Sequence, residues 1–157
     1  MKIKLDTSDK FFEVISLISL LSTILIVSFA IPKLPDTIPY HFDFNGEPNG
    51  YGSKYAMWAE VAVSGFLYML TGILSMFPES FNYPSQKNDK EAQYKLGAKL
   101  MRSLRACILF SITIVTVVVV KSAQTGSAKG AFWLIGMVLV ILIGNLTWFA
   151  IKWKQIN

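Results

Sequence analysis

Four long apolar runs, separated by polar segments, divide this chain of 157 residues. The runs lie at about 12–31, 56–77, 102–120 and 131–151. Each is close to the roughly 20 residues that an α-helix needs to cross a hydrocarbon layer ~30 Å thick. The pattern predicts an all-α integral membrane protein, a four-transmembrane-helix bundle that forms a single membrane domain over residues 1–157.

The first polar segment, an outer loop at 32–55, contains the alternation that is typical of a β-strand. One side of this alternation comprises Ile38, Tyr40, Phe42 and Phe44. Asn45-Gly46 favours a tight reversal, and Pro48-Asn49-Gly50 favours a second turn. We therefore expect a short extracellular hairpin-like loop whose aromatic side lies on the outer ends of the helices. Pro39 lacks an amide donor, so the strand should be irregular or lie at a sheet edge.

The second polar segment is predicted to form a cytoplasmic loop at 78–101. Pro84 disfavours helix, whereas residues 89–100 have an amphipathic helical pattern. We expect the third span to begin as a helical extension outside the membrane and to enter the membrane near Arg102.

The distribution of charge predicts the orientation of the chain. There are 15 Lys and Arg residues against 10 Asp and Glu, a formal net charge of +5. Most basic residues lie near the termini or in the second loop; only Lys33, Lys54, Lys121 and Lys129 lie elsewhere. The positive-inside rule then places both termini and the second loop in the cytoplasm of a multi-pass cell-membrane protein. The positive charge indicates contact with the lipid bilayer and its anionic headgroups, and no nucleic acid partner is expected.

Ionisable and amide side chains inside a span are costly and are therefore functional candidates. Glu60 lies about one turn inside the second span, where we expect it to bind Lys54 or the turn backbone of the outer loop. A proton or cation site at Glu60 is the alternative. Glu13 lies at the cytoplasmic edge of the first span, and Asn145 in the fourth span is expected to hydrogen-bond a neighbouring helix.

The sequence contains no catalytic constellation, and we expect neither an enzyme nor a bound cofactor. There is one histidine, and neither a zinc-protease helix motif nor a nucleophile-elbow motif occurs. His41 and Asp43 are two residues apart on the predicted strand and would share a face. A metal site would need a further ligand, for which Asp36 and Glu47 are nearest. A histidine that bonds the turn backbone and a pH-sensing histidine are the other interpretations.

The outer loop contains an ordered motif, formed by Leu34-Pro35-Asp36, Ile38-Pro39, His41-Phe42, Gly46, Pro48, Gly50 and Gly52-Ser53-Lys54. This motif closely resembles the signature of a bacterial membrane-protein family catalogued as a domain of unknown function. The same domain forms the N-terminal part of SdpI-type immunity proteins. The resemblance implies a multi-span bundle that binds a toxic peptide and can hold a transcriptional repressor at the membrane. The chain ends at Asn157, before the Gly-Ile-Arg-Thr-Pro-Trp segment that SdpI proteins carry.

These observations favour a non-enzymatic binding, signalling or toxin-peptide immunity-type protein that uses its outer loop. Its partners would be a peptide toxin or envelope component outside and a regulator inside. The sequence also allows a homo-oligomer. The alternative is a small transporter or an accessory subunit of one. The expected recognition residues are Leu34, Pro35, Asp36, Pro39, His41, Phe42, Asp43, Gly46, Pro48, Gly50, Gly52 and Lys54.

Overall fold

A computed structural model describes residues 4–43, 45–83, 90–128 and 132–156. The elements are α1 (Thr7–Ala30), β1 (Thr37–Phe42), β2 (Pro48–Ser53), α2 (Met57–Met76), α3 (Lys90–Thr125) and α4 (Phe132–Ile156). Short 3-10 turns follow α1, precede α2 and follow α2. All four helices are long and apolar enough to cross a membrane, which indicates a multi-pass membrane protein.

Helix α1 begins earlier than the predicted span because a capping box closes its first turn. The Asp6 carboxylate accepts a hydrogen bond from the amide of Asp9 at 2.8 Å, and the Asp9 carboxylate accepts one from the amide of Asp6 at 3.0 Å. These two bonds satisfy amide groups that an uncapped helix leaves without partners. The helix therefore starts at Thr7, five residues before the apolar run.

Helix α3 is the centre of the bundle and contacts each of the other three helices. Its 36 residues extend about 54 Å, which is longer than the ~30 Å that a helix needs to cross a hydrocarbon layer. The helical extension predicted before Arg102 is confirmed from residue 90 onward, and 90–101 is helix rather than loop. Pro84 and residue 89 lie outside the described residues. Because α2 returns the chain between them, α1 and α3 run in the same direction.

The two ends of the bundle are built differently. At the hairpin end, a hydrophobic core joins α1, α2, α3 and the β-hairpin; its buried members are Val27, Ala30, Ile31, Leu34, Ile38, Met57 and Val119. The opposite end carries residues 4–6 and the C-terminal turns of α4, and we call it the termini end. Here Tyr83, in the segment after α2, stacks on Trp153 of α4 with ring centroids 5.6 Å apart.

Helix α4 is peripheral and packs on α3. None of the most apolar part of α4 is buried inside the protein, whereas about a third of that of α1 and of α3 is buried. Large side chains such as Val140 and Ile143 remain exposed on its surface. A surface of this kind is suited to lipid, which is as apolar as the side chains themselves.

Candidate functional site

The outer loop forms a two-stranded antiparallel hairpin, as the alternation and the Asn45-Gly46 dipeptide predict. The Asp43 carboxylate accepts hydrogen bonds from the amides of Asn45 and Glu47, both at 2.9 Å, and Gly46 has a φ of 79°. The left-handed backbone at this position favours glycine. The backbone bond from Glu47, followed by those from Asn45 and Gly46, lowers the pKa of Asp43.

The second half of the hairpin differs from the sequence prediction. Pro48-Asn49-Gly50, predicted as a turn, begins strand β2. The register shifts on both sides of His41, and Tyr40 falls outside the paired positions. This irregularity follows Pro39, which cannot donate to the ladder, as predicted.

The bulge also breaks the predicted aromatic side of the hairpin. Ile38 is buried, but Tyr40 is 63% exposed and Phe42 is only partly buried. The expectation that one aromatic face lies on the helices is therefore wrong for Tyr40. Phe44, the last member of the predicted face, lies outside the described residues.

Two apolar side chains anchor the hairpin to the bundle. Leu34 is 4% exposed and Ile38 is 2% exposed, and both lie in the core with Val27, Met57 and Val119. Burying a side chain of this size stabilises a fold by roughly 1.5–3 kcal/mol. The hairpin is thus packed into the end of the helices and does not stand free of them.

Polar contacts close the base and the tip of the hairpin. The Lys54 ammonium donates to the carbonyl of Leu34 at 3.0 Å and lies 3.1 Å from the Asp36 carboxylate. At the tip, the carbonyl of Gly46 accepts a hydrogen bond from the amide of Ala128, in the loop between α3 and α4, at 3.0 Å. The two loops at the hairpin end are therefore in direct contact.

His41 and Asp43 have different hydrogen-bond partners, although both lie in the hairpin. The His41 ring bonds the side-chain amide of Asn49 on the facing strand, while Asp43 is engaged in the turn. Among the described residues, no group of three or more His, Cys, Asp and Glu side chains could hold a metal ion. The sequence suggested that His41 hydrogen-bonds the turn backbone. In the structure its ring instead bonds the side chain of Asn49 on the facing strand.

The hairpin and its exit present three exposed tyrosines, Tyr40, Tyr51 and Tyr55, which we call the exposed tyrosines. They are 63%, 58% and 61% exposed. The Tyr40 ring lies over the facing strand, so close that a Cβ added at Gly52 would meet it at 3.1 Å. Glycine at this position leaves room for the ring beside the backbone. A Cβ added at Gly50 would lie 2.9 Å from the Cβ of His41 and 3.4 Å from the Tyr40 ring. The glycines of the motif therefore position an aromatic ring.

The remaining motif residues lie around these contacts. Pro39 is buried beside the core residue Ile38, and Pro48 pairs with Phe42 at the other end of the sheet. Pro35 is exposed. The motif thus consists mainly of residues that build and anchor the hairpin.

Within the helices, Glu60 has a different partner from the one predicted. Its carboxylate accepts a hydrogen bond from the hydroxyl of Thr116 at 2.9 Å, which joins α2 to α3. Lys54 is engaged with Leu34 and Asp36, so it is not the partner of Glu60. Asn145 does bond a neighbouring helix, as expected, because its side-chain oxygen accepts from Ser103 at 3.3 Å.

A set of ion pairs that sequence reasoning missed joins α1 to α3 at the termini end. We call it the ion-pair ladder, and its rungs are Asp6–Lys99, Asp9–Arg102 and Glu13–Arg105. The partners are 93, 93 and 92 residues apart in sequence. The offset is nearly constant because the two helices are parallel, so that successive turns of one helix face successive turns of the other.

The middle rung of the ladder is buried on both sides, whereas in the third rung Arg105 is buried and Glu13 is 33% exposed. Asp9 and Arg102 lie 3.3 Å apart and their side chains are only 5% and 6% exposed. The Arg105 guanidinium also lies over the Tyr68 ring, 4.9 Å from its centroid. Asp6 and Lys99 form the rung nearest to solvent. The hydrogen bond from Lys99 is the largest of the effects that lower the pKa of Asp6.

The ladder changes the interpretation of several charges. From the sequence, the basic residues of the second loop indicate only orientation, Arg102 marks the predicted entry of the third span, and Glu13 lies at a membrane edge. Their pairing was not predicted. The available signal was the spacing: acidic residues at 6, 9 and 13 match basic residues at 99, 102 and 105 on a helix that the predicted topology makes parallel. Three acidic residues on one helix and three basic residues on the other, at matching helical spacing, indicate pairing between the helices.

Comparison with models of protein families gives a match in the first half of the chain. Residues 17–63 match the family model of a domain of unknown function, DUF1648. This segment runs from the middle of α1 through the hairpin into the first turns of α2, and so includes Leu34, Ile38 and the whole sheet. No curated protein and no solved structure gives a significant match to the chain.

Proposed function

We propose that this chain is a non-enzymatic integral membrane protein that recognises a peptide or another envelope component with its hairpin. Both termini would lie in the cytoplasm and the hairpin outside the cell, in accordance with the distribution of Lys and Arg. The proposal rests on one observation: an anchored hairpin that exposes Tyr40, Tyr51 and Tyr55. Exposed tyrosines on a rigid support are typical of protein recognition surfaces, since they offer large contact area at low entropic cost.

The anchoring of the hairpin supports recognition over a role as a simple connector. Leu34 and Ile38 hold it in the core, and Gly46 is bonded to the neighbouring loop. A preordered loop loses little conformational entropy when it binds a partner. The resemblance to the N-terminal part of SdpI-type immunity proteins suggests a toxic peptide as the partner, with the termini end available to a regulator inside the cell.

Orientation can be tested by labelling from one side of the membrane. We expect a single cysteine introduced by Asn49→Cys to react with a membrane-impermeant maleimide in intact cells. A cysteine introduced by Lys154→Cys should react only after the cells are opened. Both variants would carry Cys107→Ser to remove the native thiol, and the reverse labelling pattern would contradict the proposed topology.

Recognition can be tested by challenging cells with the toxic peptides secreted by bacteria that carry this chain. Tyr51→Ala should lower protection while the amount of protein in the membrane stays unchanged. Phe66→Ala is the matched control, because Phe66 on α2 is also aromatic and equally exposed, at 58%. If deletion of the whole gene leaves sensitivity to every such peptide unchanged, immunity is wrong.

The second candidate function is that of a small transporter or of a transporter subunit. It is favoured by Glu60, a carboxylate in a candidate span that bonds Thr116 between two helices. Glu60→Gln should abolish proton-coupled flux in reconstituted vesicles if this function holds. Thr116→Val keeps the carboxylate and should only alter the rate, so that unchanged flux in both variants would exclude Glu60 as a coupling site.

A further inference from the structure

A cleft of about 650 Å³ lies at the termini end between the start of α1, the first turns of α3 and the last turns of α4. Its size is that of a small-molecule site. Four lysines line it, against two aspartates: Lys4, Lys95, Lys99 and Lys152, with Asp6 and Asp9. Asp9 is already paired with buried Arg102, and Asp6 with Lys99. Lys95 is paired with Glu91 at 2.6 Å, so Lys4 and Lys152 are the lysines of the wall that have no acidic partner among the described residues. The wall of the cleft therefore keeps a net positive charge.

The cleft continues toward the middle of the bundle. A second cavity of about 340 Å³ shares Lys99 and Trp148 with the first and is lined in addition by Ser8, Phe12 and Asn145. Asn145 lies about one turn from Trp148 on the side away from the C-terminus, so this cavity is deeper in the span. Two aromatic side chains, Phe12 and Trp148, form its walls.

The arrangement of the helices explains why the groove exists. Helices α1 and α4 both pack on α3, but in the described part of the chain they make little contact with each other. They leave a groove between them, charged at the termini end and aromatic further in. Within the part of the chain that the structure describes, Lys152 at the mouth of the groove donates to the side-chain amide oxygen of Gln155 at 3.0 Å, a neutral contact that leaves its charge in place.

We propose that this groove binds one anionic phospholipid, with the headgroup phosphate among the lysines and an acyl chain along Phe12 and Trp148. The charge of the cleft complements a phosphate, and basic pockets between membrane helices on the cytoplasmic side are suited to anionic headgroups. Trp148 lies where the charged and apolar parts meet, as tryptophan does at a membrane interface. In this arrangement the lipid fills the space between α1 and α4. It lies beside the ion-pair ladder, which joins α1 to α3.

The test is titration of the purified protein in detergent with phosphatidylglycerol or phosphatidylcholine, followed by native mass spectrometry. We expect one phosphatidylglycerol to bind in preference to phosphatidylcholine. The double substitution Lys4→Gln/Lys152→Gln should weaken phosphatidylglycerol binding about 25-fold, since each lysine near an anionic surface contributes roughly fivefold. Neither lysine belongs to the ladder, so the fold should be retained, which thermal unfolding can check.

The control is Lys10→Gln/Lys154→Gln, which removes the same charge from neighbouring positions that do not line the cleft. We expect less than a twofold effect. Equal losses in the two double variants would show diffuse attraction of lipid to a basic surface and would overturn the proposed site.

A second pair of variants tests the acyl chain. Phe12→Ala removes a wall of the deeper cavity, whereas Phe11→Ala changes the adjacent, 60% exposed ring. Only Phe12→Ala should speed dissociation of phosphatidylglycerol. Glycerol 3-phosphate, which has the phosphate but no chain, should fail to displace the lipid at millimolar concentration. Displacement by it would identify a soluble anion as the ligand and would contradict lipid binding.

Discussion

Arg102 of α3 and Asp9 of α1 form an ion pair at 3.3 Å although both side chains are almost completely buried. Arg102 Nε also lies 3.4 Å from the Glu13 carboxylate, so one guanidinium serves two acids. The fold tolerates the buried guanidinium of Arg102 because the carboxylates of Asp9 and Glu13 compensate its charge.

Removal of one partner should therefore be costly. We expect Asp9→Asn to lower the free energy of unfolding by about 3 kcal/mol, because it leaves Arg102 buried with less compensating charge. Thermal unfolding in detergent measures the effect. The double variant Asp9→Asn/Arg102→Met keeps the side-chain oxygen that accepts from the Asp6 amide and should recover much of the loss. A double variant less stable than Asp9→Asn would contradict this account.

Gly72 provides the space that Arg105 occupies. A Cβ added at Gly72 would lie 2.9 Å from Arg105 Nη1, whereas one added at Gly65 on the same helix would meet nothing. We expect Gly72→Ala to destabilise the protein by about 1 kcal/mol or more through overpacking. Gly65→Ala should be neutral or stabilising, because alanine favours helix. Equal unfolding temperatures for the two variants would show that Arg105 moves aside freely.

The hairpin should loosen when its anchor is shortened. Ile38→Ala leaves a cavity in the core at the hairpin end and should cost about 2–5 kcal/mol of local stability. Amide hydrogen exchange over residues 37–53 should then accelerate strongly. Tyr51→Ala, at an exposed position of the same sheet, should leave exchange nearly unchanged, and similar acceleration in both variants would argue against anchoring by Ile38.

Tyr83 should titrate only at high pH. Burial, with smaller effects from Tyr94 and Glu79, raises the pKa of Tyr83 to about 12. Since the folded protein disfavours the phenolate, the contribution of Tyr83 to stability is complete below about pH 10 and is lost as the pH rises toward 12. The ultraviolet difference titration between the wild type and Tyr83→Phe measures this pKa, and a midpoint near 10 would contradict it.

The sequence was sufficient to predict the features that depend on local pattern. Run length predicted four helices with candidate spans, and alternation followed by Asn45-Gly46 predicted a hairpin in the first loop. The amphipathic pattern before Arg102 predicted that α3 begins outside the span. Each of these follows from residues that are neighbours along the chain, where helical and strand periodicities apply directly.

Features that depend on distant residues were missed. The ladder joins positions more than 90 residues apart, and Glu60 bonds Thr116 rather than nearby Lys54. The exposure of Tyr40 was also missed, because a bulge changes the side to which later residues point. Pro39 indicated an irregular strand, but not where the register would shift.

The parallel course of α1 and α3 has a mechanical consequence. The ladder fixes their register near the termini, and a 2.9 Å bond between Thr23 and Thr113 fixes it again further along. A slip of one helix past the other by one turn, about 5.4 Å, would break both sets of contacts together. β1 contacts α3, and the core at the hairpin end includes the end of α1, so the hairpin is joined to both helices. We therefore expect a load on the hairpin to move α1 and α3 together.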